Sequence, residues 1–282
     1  MIYILLSIFL YSLNNVLWKK NLEKTNIFFL ISYRSLLTSM ISIVLFFAFF
    51  NKNSIELNIL IKVSLGSVIG TIGLFCMLKA LKNTSLQWIG IYNLLGIVFT
   101  SFYLHIYEKY DLNRLNTGVI VIIIGYILFV ISNRKSNVKT SIKNHILLII
   151  MTISFCTSSI IHWVNLMDEI HPVLIVANQE FFVFIFSTLI LLFINKGQLE
   201  TSEYKKHFKD IIIMSIVILL AVLFSFLGVK QTNPIVLSLL FLASPLLTII
   251  LSSIYFKERI TTINKVSIFI ITIGAFILKY NN

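Results

Sequence analysis

Two residues of opposite charge, Arg34 and Glu180, stand deep inside long apolar runs, where other formal charges do not occur. A guanidinium there could hold a carboxylate or phosphate through forked hydrogen bonds. A carboxylate there could take up a cation or a proton. Placing either at mid-bilayer costs about 2.5 to 3.5 kcal/mol on insertion scales, so each must face protein or water rather than lipid. Arg34 lies about nine residues into a helix expected from residue 26, and Glu180 about nine into one expected from residue 172; at 1.5 Å per residue each is roughly 13 Å from its entry surface. If those surfaces are opposite ones, the two charges differ by only a few ångströms in depth within a core of about 30 Å. They can therefore pair. Three readings stay open: a structural ion pair or a snorkelling Arg34, an Arg34 that holds an anionic group of a substrate, and a Glu180 that binds a cation or proton during a transport cycle.

Other polar residues at bilayer depth support a binding cavity less specifically. Asn14, Asn15, Asn178 and Gln179 either line one or hydrogen-bond between helices. Trp88, Tyr92 and Asn93 share a helix, with Trp88 and Tyr92 one turn apart, where an aromatic pair holds an apolar or cationic solute or anchors at the interface. Ser244-Pro245 interrupts a helix and frees backbone carbonyls toward a cavity. His162 and Trp163 end an apolar run, and an interfacial His there is read as structural. Gly66, Gly70 and Gly73 have the small-residue spacing of close helix packing. Catalytic constellations are missing: the five His residues, at 105, 145, 162, 171 and 207, have no partners at metal-ligand spacing, and there is no phosphate-cradling P-loop. No cofactor or metal is expected, and Cys76 and Cys156, both within apolar runs, are read as small apolar residues.

The elements that must position these residues are helices. In 282 residues, 58% hydrophobic and 12% charged, there are too few charges to cover a soluble protein. Apolar runs predict helices over 2–18, 26–50, 59–80, 84–106, 114–132, 145–164, 172–195, 208–229, 233–256 and 262–279. They are apolar all round and not alternating, which excludes an outer-membrane barrel. The first run lacks a basic leader and a small-residue cleavage site, so it is read as a retained helix. Residues 133–143 form a basic linker, and 196–207 an interhelical loop. The net charge of +12 is scattered over short loops, which speaks for topology and anionic lipid rather than nucleic acid.

The chain also repeats itself. Ala80-Leu81-Lys82-Asn83-Thr84 followed by Glu108 and Gly125 is matched by Gly228-Val229-Lys230-Gln231-Thr232 followed by Glu258-Arg259 and Gly274. Each copy lies in a block of five apolar segments, and because five is odd the second block enters from the opposite side. This order of residues resembles the drug/metabolite transporter superfamily, EamA type. Arg34 and the stretch from Asn14 to Lys20 also resemble that family's first half. The resemblance implies an all-α integral membrane protein of ten transmembrane helices in two inverted five-helix repeats, 1–132 and 144–282. Its expected work is to move a small organic metabolite, such as an amino acid or amine, across the cell membrane by alternating access. Its implied partners are that solute and membrane lipids, with proton or cation coupling and a monomer or homodimer as the assembly. Two departures stand out: Pro245 is matched by Leu95-Gly96, and Asn14 and Asn15 stand where small multidrug members carry a proton-binding Glu. The loops after odd-numbered helices hold 16 Lys and Arg against 6 on the other side, which places both termini outside, whereas the resemblance implies cytoplasmic termini. The alternative from another class is a polytopic membrane enzyme acting on lipids, which would gather His, Asp and Glu at one interface.

Overall fold

A backbone surrounded by hydrocarbon must satisfy its own hydrogen bonds, and a charge-poor chain does so as helix. The computed structural model describes residues 2–22, 25–49, 57–108, 112–134, 141–194, 201–229, 243–257 and 260–280, and these contain helices and no strands. In chain order the helices are α1 (Ile2–Leu22), α2 (Ile27–Phe49), α3 (Leu57–Leu81), α4 (Leu86–Glu108), α5 (Leu112–Arg134), α6 (Ile142–Met167), α7 (Pro172–Ile194), α8 (Thr201–Val229), α9 (Ala243–Tyr255) and α10 (Thr262–Tyr280). Asn26, Ser141 and Thr261 cap α2, α6 and α10 by accepting from the backbone N–H of Phe28, Asn144 and Asn264. Among the described residues six helices are long and apolar enough to cross a membrane: α1, α2, α3, α6, α7 and the 206–228 part of α8.

Element limits depart from the apolar runs mainly where a helix continues into polar sequence. The expected loop at 196–207 is one case: from Thr201 it is already the first two turns of α8. An apolar window ends at the membrane boundary, but helical hydrogen bonding does not. Most of the basic linker and Lys230 to Thr232, Glu258 and Arg259 of the second motif lie outside the described residues, as does the first half of the helix expected over 233–256.

The solvent preference is inverted relative to a soluble protein. Phe193, Ile2, Leu57 and Phe49 are among many large apolar side chains on the outside, while Ser7, Ser12, Ser35, Ser42, Thr38 and Ser67 are buried. Buried hydroxyls return hydrogen bonds to their own helix or reach a neighbour: Ser7 Oγ to Ala221 O (2.9 Å), Ser158 Oγ to Gly66 O (2.8 Å), Ser32 Oγ to Ser187 Oγ (3.0 Å). Such bonds and close small-residue contacts, rather than apolar burial, hold helices together in lipid.

Helix packing is dominated by pairs that join residues 2–134 to residues 142–280: α5 with α10, α3 with α6, α2 with α7, α1 with α8. Further contacts of α3 with α7, α2 with α8, α1 with α9 and α4 with both α6 and α9 do the same. The two halves are interleaved. The α3/α6 crossing uses the glycine stripe, since a Cβ on Gly66 would lie 2.7 Å from His162, on Gly70 2.8 Å from Ser158 and on Gly73 2.8 Å from Phe155. Gly125 and Gly274 do the same work between α5 and α10, where a Cβ on Gly274 would stand 2.8 Å from the Gly118 carbonyl oxygen.

Candidate functional site

Arg34 projects from α2 and Glu180 from α7, one of the helix pairs that bridge the two halves. One guanidinium nitrogen, Nη1, lies 2.9 Å from each carboxylate oxygen of Glu180. Both side chains are almost wholly buried, at 2% and 5% exposure. The guanidinium carbon also sits 5.6 Å from the centre of the Trp18 ring on α1, within cation–π range. The backbone around it is tied as well: the Arg34 carbonyl accepts from Thr38 Oγ1 (2.9 Å) and from Ser215 Oγ on α8 (3.1 Å). Helices α1, α2, α7 and α8 thus meet at one charged residue. Neither charge faces lipid, as the insertion cost requires.

This pair borders a partly open cavity of about 370 Å³. Its walls come from both halves, with Tyr11, Asn14, Asn15 and Trp18 of α1, Asn93 and Tyr103 of α4, Phe155 and His162 of α6, Gln179 of α7, and Ser225 and Phe226 of α8 among them. Most of the lining surface is apolar, with many polar side chains set into it.

Of the residues singled out in the sequence, Asn14, Asn15, Arg34, Asn93, Gln179, Glu180 and Ser244 line this cavity. Asn15 Nδ2 also donates to Thr248 Oγ1 (3.3 Å), and Ser244 accepts from Ser12 Oγ at its carbonyl (2.9 Å), which joins α9 to α1. Trp88, Tyr92 and Asn178 are not in the lining. Trp88 packs edge-on against Phe129 and His145, and the Tyr92 hydroxyl shares a 2.8 Å hydrogen bond with His145 Nδ1. Together they form an aromatic nest between α4, α5 and α6, away from the cavity. One-turn spacing put both rings on one helix face; that face turned to a neighbour. Asn178 clasps α3, accepting from Ser67 Oγ (2.7 Å) and donating to Ser64 Oγ (3.2 Å).

Sequence reasoning missed three residues. Trp18, which stacks on Arg34, was hidden among apolar residues of α1. Lys19, counted as a loop charge, donates from Nζ to the carbonyls of Leu81 (3.0 Å) and Thr84 (2.8 Å), neutralising the carbonyl end of α3 at the repeated Ala80-to-Thr84 motif. That motif is a turn, closed further by Thr84 Oγ1 donating to Ala80 O (2.8 Å). His162, expected at an interface, is 2% exposed and lines the cavity. A signal existed for it: Ser154, Ser158 and His162 recur every fourth residue on α6, the spacing of one polar face.

Comparison with known proteins decides the family. The EamA-like transporter family model matches residues 1–132 and again residues 144–280. The chain belongs to the EamA-like transporter family. It is a multi-pass membrane protein of a family that transports small solutes, and its surroundings are lipid. No curated protein matches the chain. A crystal structure 13% identical to it, covering 98% of this chain and 94% of that one, superposes with a TM-score of 0.71, so the two share a fold. The lipid-enzyme alternative gains nothing from the family or from the site, and among the described residues no group of three or more His, Cys, Asp or Glu could hold a metal.

Proposed function

We propose that this EamA family member is a secondary transporter that carries a small organic metabolite, such as an amino acid or an amine, across the cell membrane by alternating access. Ten spanning helices in two inverted five-helix repeats, 1–132 and 144–282, form the scaffold. The observation that carries this is the cavity walled by both halves, with the buried Arg34–Glu180 pair joining them. Exchange of α1–α5 for α6–α10 leaves the set of helix pairs packed across the two halves unchanged, because α3/α6 becomes α8/α1, α3/α7 becomes α8/α2 and α4/α6 becomes α9/α1. That invariance supports a pseudo-two-fold relation between the repeats. Shifts among the helices that wall the cavity would expose it to each side in turn. In that cycle Arg34 holds the anionic group of the solute, Glu180 binds its cationic group or a coupling proton, and Asn14, Asn15, Asn93, Gln179 and Ser244 complete the wall.

Uptake of radiolabelled amino acids, amines and carboxylates into proteoliposomes tests this reading. Saturable uptake of one class is expected, and Glu180→Gln is expected to abolish it or its pH dependence. Unimpaired and equally pH-dependent uptake by Glu180→Gln would remove Glu180 from the mechanism.

A further inference from the structure

A second cavity, of about 630 Å³, shares no lining residue with the one between the halves. It is a partly open groove where four helix ends meet: Lys19 and Leu22 close α1, Ile27 and Phe28 open α2, Leu81 closes α3 just before Lys82, and Ile194 closes α7. All four helices are long and apolar enough to span a bilayer. Their ends lie at the level of lipid headgroups, and so does the groove.

The groove has two kinds of wall. Leu22 and Leu81 are buried beneath it, and Ile194 is half exposed, so apolar surface runs from its floor out to the surrounding lipid. Phe28 carries that surface toward α3 through an edge-on contact with Phe75, with centroids 5.7 Å apart. The other wall is cationic. Lys19 and Lys82 line the groove, and the two chain segments that frame it, 19–26 and 79–84, hold Lys19, Lys20, Lys24, Lys79 and Lys82 against one acid, Glu23.

Acceptors at this place are already engaged. In the last turn of α3 the Leu78 carbonyl accepts from Lys82 N–H (3.2 Å), Ala80 from Asn83 N–H (2.9 Å) and Leu81 from Lys19 Nζ (3.0 Å). Asn26 accepts from Phe28 N–H at its side chain and from Leu30 N–H at its carbonyl. An exposed ammonium, that of Lys82, stands above an apolar floor.

That combination selects a ligand with an anionic head and an apolar tail. A soluble anion would leave the apolar wall wet, and a lipid with a cationic headgroup would add positive charge where it is already in excess. We propose that this groove binds one anionic phospholipid of the phosphatidylglycerol type, whose phosphate meets Lys82 and whose acyl chains lie over Phe28 and Ile194. The site is separate from the cavity between the halves, so it stands whether or not the transport reading does.

The test is native mass spectrometry of the purified full-length protein in detergent, titrated with dioctanoyl phosphatidylglycerol. One saturable adduct is expected, with dioctanoyl phosphatidylcholine about fivefold weaker or worse. Lys82→Gln should weaken phosphatidylglycerol about fivefold and Lys82→Arg less than about twofold. Lys143→Gln is the control for charge alone, since Lys143 lies outside the groove in the first turn of α6, and α6 starts at the end of the bundle where the antiparallel α3 finishes. Its effect should also stay below about twofold, and unfolding midpoints of the three variants serve as folding controls. Equal losses in Lys82→Gln and Lys143→Gln would reveal a diffuse positive field and overturn the site. Phosphatidylcholine bound as tightly as phosphatidylglycerol overturns the recognition of charge. If sn-glycerol 3-phosphate or inorganic phosphate binds as tightly as the lipid, the groove takes a soluble anion and the lipid proposal falls, as it does if no saturable adduct forms.

Discussion

At the residue scale the protein is organised around one charge pair in a place where charge is costly. Removing one member of a buried pair leaves the other uncompensated, a loss of about 3 to 5 kcal/mol, while replacing both with apolar residues is often neutral. Arg34→Leu is therefore expected to lower the thermal unfolding midpoint sharply, and Arg34→Leu with Glu180→Leu to recover most of it. Melting of the purified proteins in detergent checks this, and a double variant as unstable as the single one would show that packing rather than charge is at stake. Transport separates the two roles of the pair. A stable but inactive double variant is the outcome expected if Arg34 and Glu180 serve the solute, and a stable, fully active one would assign them to structure alone.

At the element scale the glycines of α3, α5 and α10 set how closely helices approach. What a new methyl group would meet differs among them. At Gly70 the obstacle is the Ser158 hydroxyl, which can rotate, whereas at Gly274 it is the backbone of Gly118 and Ile122 on α5, which cannot. Gly274→Ala is thus expected to cost about 1 to 3 kcal/mol through overpacking, and Gly70→Ala less. Unfolding midpoints measured side by side decide it, and a Gly70→Ala variant that is the less stable of the two would reverse the order. The repeated mid-helix glycine, part of the family pattern at 125 and 274, receives its physical cause here: α5 and α10 touch backbone to backbone.

At the scale of the whole molecule the halves are not separate bodies. Since the principal helix pairs all cross from residues 2–134 to residues 142–280, each half alone would present its hydroxyls and glycines to lipid without partners. Expressed singly, residues 1–134 and 142–282 are expected to aggregate on detergent extraction, and co-expressed they should copurify as a single monodisperse species. Size-exclusion chromatography gives the answer, and a lone half that is monodisperse and melts cooperatively would refute the interleaving.

Sequence by itself determined the solvent and most of the helices, because hydrocarbon permits few alternatives: long apolar runs must be helical, and a lone Arg or Glu must find protein or water. The depth of Arg34 and Glu180 even allowed their pairing, now seen at 2.9 Å. It could not determine which face of each helix meets which neighbour, since helices apolar all round carry little rotational signal. For that reason Trp88 and Tyr92 could be read as a solute clamp or as interface anchors and form a packing nest, and His162 looked interfacial and is a cavity wall. Helix rotation and partner choice come from hydroxyl-to-carbonyl bonds and glycine contacts between segments far apart in the chain, from 60 residues for Thr152 with Tyr92 to 232 for Ser12 with Ser244. Only the tertiary structure brings such pairs together.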